Sequence, residues 1–218
     1  MTSYRPPPNN GLTILYEDED LLAVNKPSGL LSVPGRGTHK QDCLATRVQA
    51  RYPEALIVHR LDMETSGVML MARHAQGQRQ LSRLFQQRQV HKRYVAVVEG
   101  GLSALSGEID LPLICDWPRR PRQKVDFSQG KPAQTRYRVL RHDPEADTSR
   151  LQLEPITGRS HQLRVHLQAL GHPIVGDRLY ASAETVAKSE RLLLHAQSIA
   201  FAHPATGKPL EVVCPADF

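Results

Sequence analysis

His59-Arg60-Leu61-Asp62-Met63-Glu64-Thr65-Ser66-Gly67 is a polar stretch set between two apolar runs, Leu56-Ile57-Val58 before it and Val68-Met69-Leu70-Met71 after it. Short runs of branched and long apolar residues bounded by turn formers read as buried strands. The polar stretch is therefore expected to be a loop held between two core strands, which is how a scaffold presents a reactive group. Asp62, two positions after Arg60, is the candidate reactive group, although the same pair also suits a structural ion pair. Thr65 and Ser66 offer hydroxyls to the backbone, and Gly67 is expected to permit a tight turn.

Working outward, the 218 residues suffice for one substantial core or two small ones. Lysine and arginine number 28 against 22 acidic residues, a net charge of +6. That excess favours an anionic partner, nucleic acid before membrane. No apolar run is long enough to span a bilayer, and residues 1–10 lack the apolar segment of a secretory signal. Cys43, Cys115 and Cys214 are too scattered for a disulfide framework or zinc spacing, so a soluble cytoplasmic protein is expected.

Three prolines make residues 1–11 an extended tail. A hairpin is expected over residues 12–24 around an acidic turn, then a turn-rich loop over 25–35. A helix over 43–52 would be capped by Asp42, and a longer one over 75–89 would bury Leu81, Leu84 and Phe85. Its Arg79, Arg83 and Arg88 suit a solvated face before RNA contact. Strands follow over 92–98, 109–114, 133–140 and 151–153, then a helix over 160–170 capped by Ser160 and stopped by Gly171 and Pro173. A last hairpin pairs 199–201 with 210–213. Strands mostly follow one another, so the fold class is α+β, a mostly antiparallel mixed sheet with flanking helices and loops, with residues 12–218 as one domain.

Two further stretches suit chemistry or binding. In Thr157-Gly158-Arg159-Ser160-His161-Gln162-Leu163-Arg164-Val165-His166 a turn leads into a helix start crowded with Arg159, His161, Gln162 and Arg164, a setting for phosphate or carboxylate. His161 and His166 are five apart and cannot share a helical face as a metal pair, so no metal site is read there. The loop over 117–127 carries Arg119, Arg120, Arg122 and Lys124 between Trp117 and Phe127. Four cations and two aromatics suit neutralisation of an RNA backbone and stacking on bases, and equally a solvated basic hairpin. No phosphate-cradling or dinucleotide-binding loop occurs, so no cofactor is signalled.

Together these stretches resemble the RluA-type pseudouridine synthases. The resemblance is carried by His59-Arg60-Leu61-Asp62 with Thr65-Ser66-Gly67, by Asn25-Lys26-Pro27-Ser28-Gly29-Leu30, and by Tyr94 within Lys92-Arg93-Tyr94-Val95-Ala96-Val97. Thr157 to Arg164 and Leu193-Leu194-His195-Ala196 continue it in order, from about residue 12 to the C-terminus. Many relatives have an extra N-terminal RNA-binding domain, for which this chain has no room.

The resemblance implies a pseudouridine synthase catalytic fold that isomerises uridine after flipping it from its stack. It implies Asp62 as nucleophile, with attack on sugar or base, or action as a base at the sugar, left open. Arg164 would keep Asp62 ionised, Tyr94 would lie against the uracil and handle a proton, and Arg60 would fill the gap left by the base. His59, Lys26, Thr65, Arg159, His161, Gln162, Leu194 and the 117–124 loop would contact substrate. The partners implied are a tRNA anticodon stem-loop and a 23S rRNA hairpin, with no membrane, no metal and a monomeric enzyme. Two other readings stand beside it: a non-catalytic RNA-binding module, and a nucleic-acid glycosidase pairing Asp62 with Glu64.

Overall fold

The structure is a computed structural model and describes residues 4–218. Along the chain run β1 (Ile14–Glu17), β2 (Leu21–Lys26), α1 (Leu44–Gln49), β3 (Leu56–Ile57), β4 (Ser66–Ala72), α2 (Ala75–Gln86) and β5 (His91–Glu99). Then come β6 (Ser106–Asp110), β7 (Leu113–Cys115), β8 (Gln123–Val125), β9 (Gln134–Asp143) and β10 (Thr148–Pro155). α3 (Gln162–Ala169), α4 (Ala183–Ala187), β11 (Leu194–Ala202) and β12 (Pro209–Val213) complete the order. The chain divides into two compact units, Met1–Lys92 with Ala196–Asp217, and Arg93–His195 with Phe218.

In the first unit β1 and β2 form the expected hairpin. Its acidic turn is built on Asp18, whose Oδ1 accepts from the amides of Asp20 and Leu21, both at 2.9 Å. β2 pairs antiparallel with β4 from Leu21 opposite Ala72 to Lys26 opposite Gly67, and β3 pairs with the far end of β4. β4 is buried along its whole length, as its unbroken apolar run requires. Val68, Leu70 and Ala72 belong to one core with Leu81, Ile199, Phe201 and Val212, against which Leu84 and Phe85 of α2 pack. β11 and β12 supply the last hairpin.

The second unit orders its strands β5-β10-β9-β6, with a separate β7–β8 ribbon. β10 is antiparallel to both β5 and β9, and β6 to β9. Leu151, Leu153, Leu163, Leu167 and Ile174 form its core with Ala96 and Val98.

Several local expectations are corrected. Cys43, not Asp42, caps α1 in a box with Thr46, because Asp42 is taken by Arg47, Nε to Oδ1 at 2.7 Å and Nη2 to Oδ2 at 2.8 Å. Arg47 also donates to the Pro7 carbonyl at 2.6 Å, tying down the tail, of which residues 1–3 lie outside the described residues. The strand expected over 109–114 breaks into β6 and β7 around Pro112, which has no N–H for a ladder. α3 starts at Gln162, preceded by left-handed His161 (φ 54°), and the Ser160 cap is not used. α2 ends at Gln86, three residues before the expected end.

Gly67 makes no turn: it lies inside β4 at φ 109°. A Cβ there would sit 2.3 Å from the Ala196 carbonyl oxygen, so glycine is needed for close backbone approach to β11. Gly67→Ala is expected to destabilise the protein by roughly 3 kcal/mol or more, from the left-handed backbone and the clash together. Urea unfolding checks this, and a loss under about 1 kcal/mol would show that the two strands can part.

Candidate active site

The polar stretch becomes a loop whose backbone is tied down one carbonyl at a time. Leu61 O accepts from Ser32 Oγ at 2.6 Å, and the same hydroxyl accepts from Leu61 N at 3.1 Å. Asp62 O accepts from Thr65 N at 3.1 Å. Met63 O accepts from Lys26 Nζ at 2.9 Å, and Glu64 O from Ser28 Oγ at 2.7 Å. Four successive carbonyls thus have donors, three of them side chains of residues 26–32. Asp62, half-buried, rides on this frame, while Arg60 before it is exposed.

Lys26 was expected to meet substrate, yet it is 0% exposed. Its other two donors go to Pro27 O at 2.9 Å and Leu30 O at 2.7 Å. Burial lowers its pKa to about 7, against the opposing pull of the Glu64 and Asp62 carboxylates. The carbonyl cage favours the ammonium, since a neutral amine has one proton too few for three acceptors.

His59 is also inward-looking. Its Nε2 accepts from Leu70 N at 2.8 Å, which places the proton on Nδ1, and its ring stacks on Phe85 at 4.6 Å. Burial, with a smaller push from the Lys92 ammonium, lowers its pKa to about 3. Thr65 is buried.

In the second unit, Arg164 is 3% exposed on α3. Asp177 grips it with both oxygens, Nε to Oδ2 at 2.8 Å and Nη2 to Oδ1 at 2.6 Å. The guanidinium lies 5.2 Å from the centre of the Tyr180 ring. Tyr180 Oη in turn meets His161 Nδ1 at 2.7 Å and accepts from Gln123 N at 2.8 Å. Gln162 is buried and organises the preceding turn: its Oε1 accepts from Thr157 Oγ1 at 2.7 Å and Arg159 N at 2.9 Å. Arg159 itself is exposed and donates to Pro132 O. Tyr94 is half-buried on β5 opposite Leu153, and Leu194 is a core residue.

His166 serves the fold. Its Nε2 donates to Leu111 O at 3.0 Å and its Nδ1 accepts from Thr135 Oγ1 at 2.9 Å; burial lowers its pKa. Among the described residues, Asp18, Asp20 and His203 bring possible metal-ligand atoms within 4.8 Å of one another. Their atoms already have turn duties: Asp18 Oδ2 accepts from Tyr16 Oη at 2.7 Å and from His203 Nε2 at 2.8 Å.

The basic loop folds as the β7–β8 ribbon, and its cations differ in setting. Arg119 is drawn onto buried Asp116 at 2.6 Å, Arg120 lies over Trp117, and Lys124 pairs with Asp126 at 3.2 Å. Arg122 is half-buried near the ribbon tip. Sequence reasoning missed Ser28, Ser32, Asp177 and Tyr180. Ser28 stood in a quoted motif without a role, and for Asp177 the signal was indirect: a buried arginine requires a carboxylate, but burial of Arg164 is not readable from its own residue type.

A family model described as RNA pseudouridylate synthase matches residues 20–169. The chain belongs to that family. It is 54% identical over 218 residues to the dual-specificity RNA pseudouridine synthase RluA of Escherichia coli strain K12, covering 100% of this chain and 99% of that protein. The RluA of Vibrio parahaemolyticus is 51% identical over 221 residues, 100% of this chain and 88% of its own. Among solved structures, human RNA Pseudouridylate Synthase Domain Containing 1 matches with a TM-score of 0.81 at 31% identity, over 98% of this chain and 87% of that one. Human RNA Pseudouridylate Synthase Domain Containing 4 gives 0.74 at 27% identity, over 93% and 88%. As a member of the family the protein is an RNA pseudouridine synthase, an isomerase. The glycosidase and the non-catalytic module therefore fall away.

Lys26→Met is expected to destabilise the synthase by about 2–4 kcal/mol, three buried carbonyls losing their donor while removal of a buried charge offsets part of the loss. Hydrogen exchange at the Leu61 and Thr65 amides should quicken with it; unchanged exchange would mean that the loop holds without the lysine. His59 gives a pH effect of definite sign. Unfolded, it takes a proton near pH 6.5; folded, only near 3. The unfolded state binds more protons in that window, so stability falls as pH drops through it. His59→Gln keeps an acceptor for Leu70 N without titrating, and urea unfolding from about pH 7 to 4 should show a shallower acid loss. An acid loss as steep as that of the unaltered protein would place the titrating group elsewhere.

Proposed function

We propose that this synthase isomerises uridines in both rRNA and tRNA, with Asp62 as its nucleophile. The activity on two RNA classes rests on full-length likeness to the dual-specificity RluA proteins. One observation carries the assignment of Asp62: it sits on a loop whose carbonyls at Leu61, Asp62, Met63 and Glu64 are each held by a donor. A side chain on so restrained a backbone is aimed before substrate arrives, which lowers the cost of reaching a near-attack geometry.

The reaction breaks the bond from N1 of uracil to C1′ of ribose, turns the base and joins C5 to C1′. The C5 proton leaves and N1 ends protonated, so no atom is gained or lost. Asp62 acts as a carboxylate, whether it attacks C1′, attacks the base, or draws a proton from the sugar. Arg164 is the cation assigned to partner the nucleophile, and Asp177 with Tyr180 keeps that guanidinium from turning. Tyr94 lies against the extruded uracil and handles a proton. Arg60, exposed, takes the place of the base in the stack. Arg159, Arg120, Arg122 and Lys124 supply positive charge to the RNA backbone.

Residues 12–218 act as one catalytic domain and as a monomer in the cytoplasm. The substrates are a tRNA anticodon stem-loop and a 23S rRNA hairpin. Among the described residues no helix is long and apolar enough to cross a membrane.

Asp62→Asn preserves shape and removes the charge. With either RNA, pseudouridine formation should fall to background while RNA affinity is retained. Conversion by an Asp62→Asn preparation shown free of deamidation would remove Asp62 from the role. Conversion of neither RNA by the unaltered protein would overturn the substrate assignment.

A further inference from the structure

Trp117 is the chain's one tryptophan, and it is 65% exposed at the tip of the β7–β8 ribbon. The tip is not slack. Asp116 N donates to Arg122 O at 2.9 Å, Arg119 N to Asp116 O at 2.9 Å, and Arg122 N to Arg119 O at 3.0 Å. Below it, Leu113 is buried against Ala133 and Val165, with Val125 and Tyr180 packed on the same cluster. The indole is thus held out on a braced hairpin instead of folding onto the core, leaving a large apolar ring in water that a protein ordinarily covers.

Its neighbours are arranged unequally. Buried Asp116 draws Arg119 aside, while the Arg120 guanidinium stands 4.5 Å from the indole centroid. A cation on the ring adds positive charge next to an exposed aromatic face, a combination suited to a nucleobase that brings a phosphate with it. A paired base within a duplex has both faces covered and cannot take this position; an unpaired base can.

We propose that Trp117, backed by Arg120, is a stacking platform for one unpaired base of the substrate loop, and that it lets the synthase discriminate loop from duplex RNA. Arg122 and Lys124 meet the phosphates of the same strand. The inference rests on the RNA-modifying function proposed above and adds a specificity-determining contact to it.

Because Trp117 is the sole tryptophan, its emission reports the contact directly in the full-length protein. The probes are a synthetic RNA hairpin carrying the target uridine in its loop, a blunt duplex of the same length, and heparin. The hairpin should quench the emission strongly; the duplex and heparin should bind through charge and leave it nearly unchanged. Replacing loop nucleotides one at a time by abasic sites should abolish quenching at one position. Trp117→Ala should weaken hairpin binding about ten-fold with its salt slope intact, and Trp117→Phe should restore most of the loss. Hairpin binding without quenching, equal quenching by duplex or heparin, or full affinity in Trp117→Ala would each overturn the platform. Pseudouridine formation by the unaltered protein is measured on the same hairpin. Its absence counts against the proposed function, whereas its presence without quenching counts against the platform alone.

Discussion

Lys26 has no contact with water, and its ammonium is shared among the carbonyls of Pro27, Leu30 and Met63. Few arrangements bind two segments so firmly. A hydroxyl would satisfy one carbonyl and an arginine fork would not fit a cluster converging on a point, whereas an ammonium offers three donors from one atom. The lysine ends β2, opposite Gly67 at the start of β4, so the loop from 59 to 65 is closed by strand pairing on one side and by this charge on the other. Removing that much solvent from a cation is unfavourable. The nearby Asp62 and Glu64 carboxylates offset part of it, so the group that steadies the loop is itself steadied by the charge the loop presents.

Arg164 follows the opposite logic. Its partner Asp177 is fully buried and takes both ends of the guanidinium fork, and Tyr180 covers its face. A buried pair of this kind contributes little net stability, since desolvation of two ions offsets their attraction. What it contributes is direction: a planar guanidinium fixed at two nitrogens and one face cannot rotate. Gln162 does for the turn after Thr157 what Lys26 does for the loop at Asp62, using an amide where no charge is called for.

The sequence was most legible where one physical cause acts alone. The unbroken apolar run at 68–71 could only be a strand buried on both faces, and β4 is buried throughout. Alternation over 133–140 and 151–153 gave β9 and β10, and the acidic turn at 17–20 gave the first hairpin. It was least legible where a residue answers to something distant in the chain. Gly67 is a glycine because of Ala196. Lys26 points inward because of Met63. Asp42 leaves the cap of α1 because Arg47 takes its carboxylate, and Ser160 yields because His161 turns left-handed ahead of α3. Asp62 and Arg164 each stand in a motif visible in the sequence, whereas Ser32, which braces the loop of the first, and Asp177, which grips the second, stand in no local pattern.

The Tyr180 hydroxyl meets His161 before α3 and takes the amide of Gln123, the first residue of β8. One atom therefore sets the height of the ribbon against the helix that carries Arg164. Inserted or deleted residues between Leu113 and Asp116, or between Gln123 and Val125, would shift that amide and break the bond. The segment from Trp117 to Arg122 lies beyond that bond and is closed by hydrogen bonds among Asp116, Arg119 and Arg122. Variation in the length of this ribbon among related chains should thus collect at its tip, which can lengthen or shorten while the footing of the helix does not change.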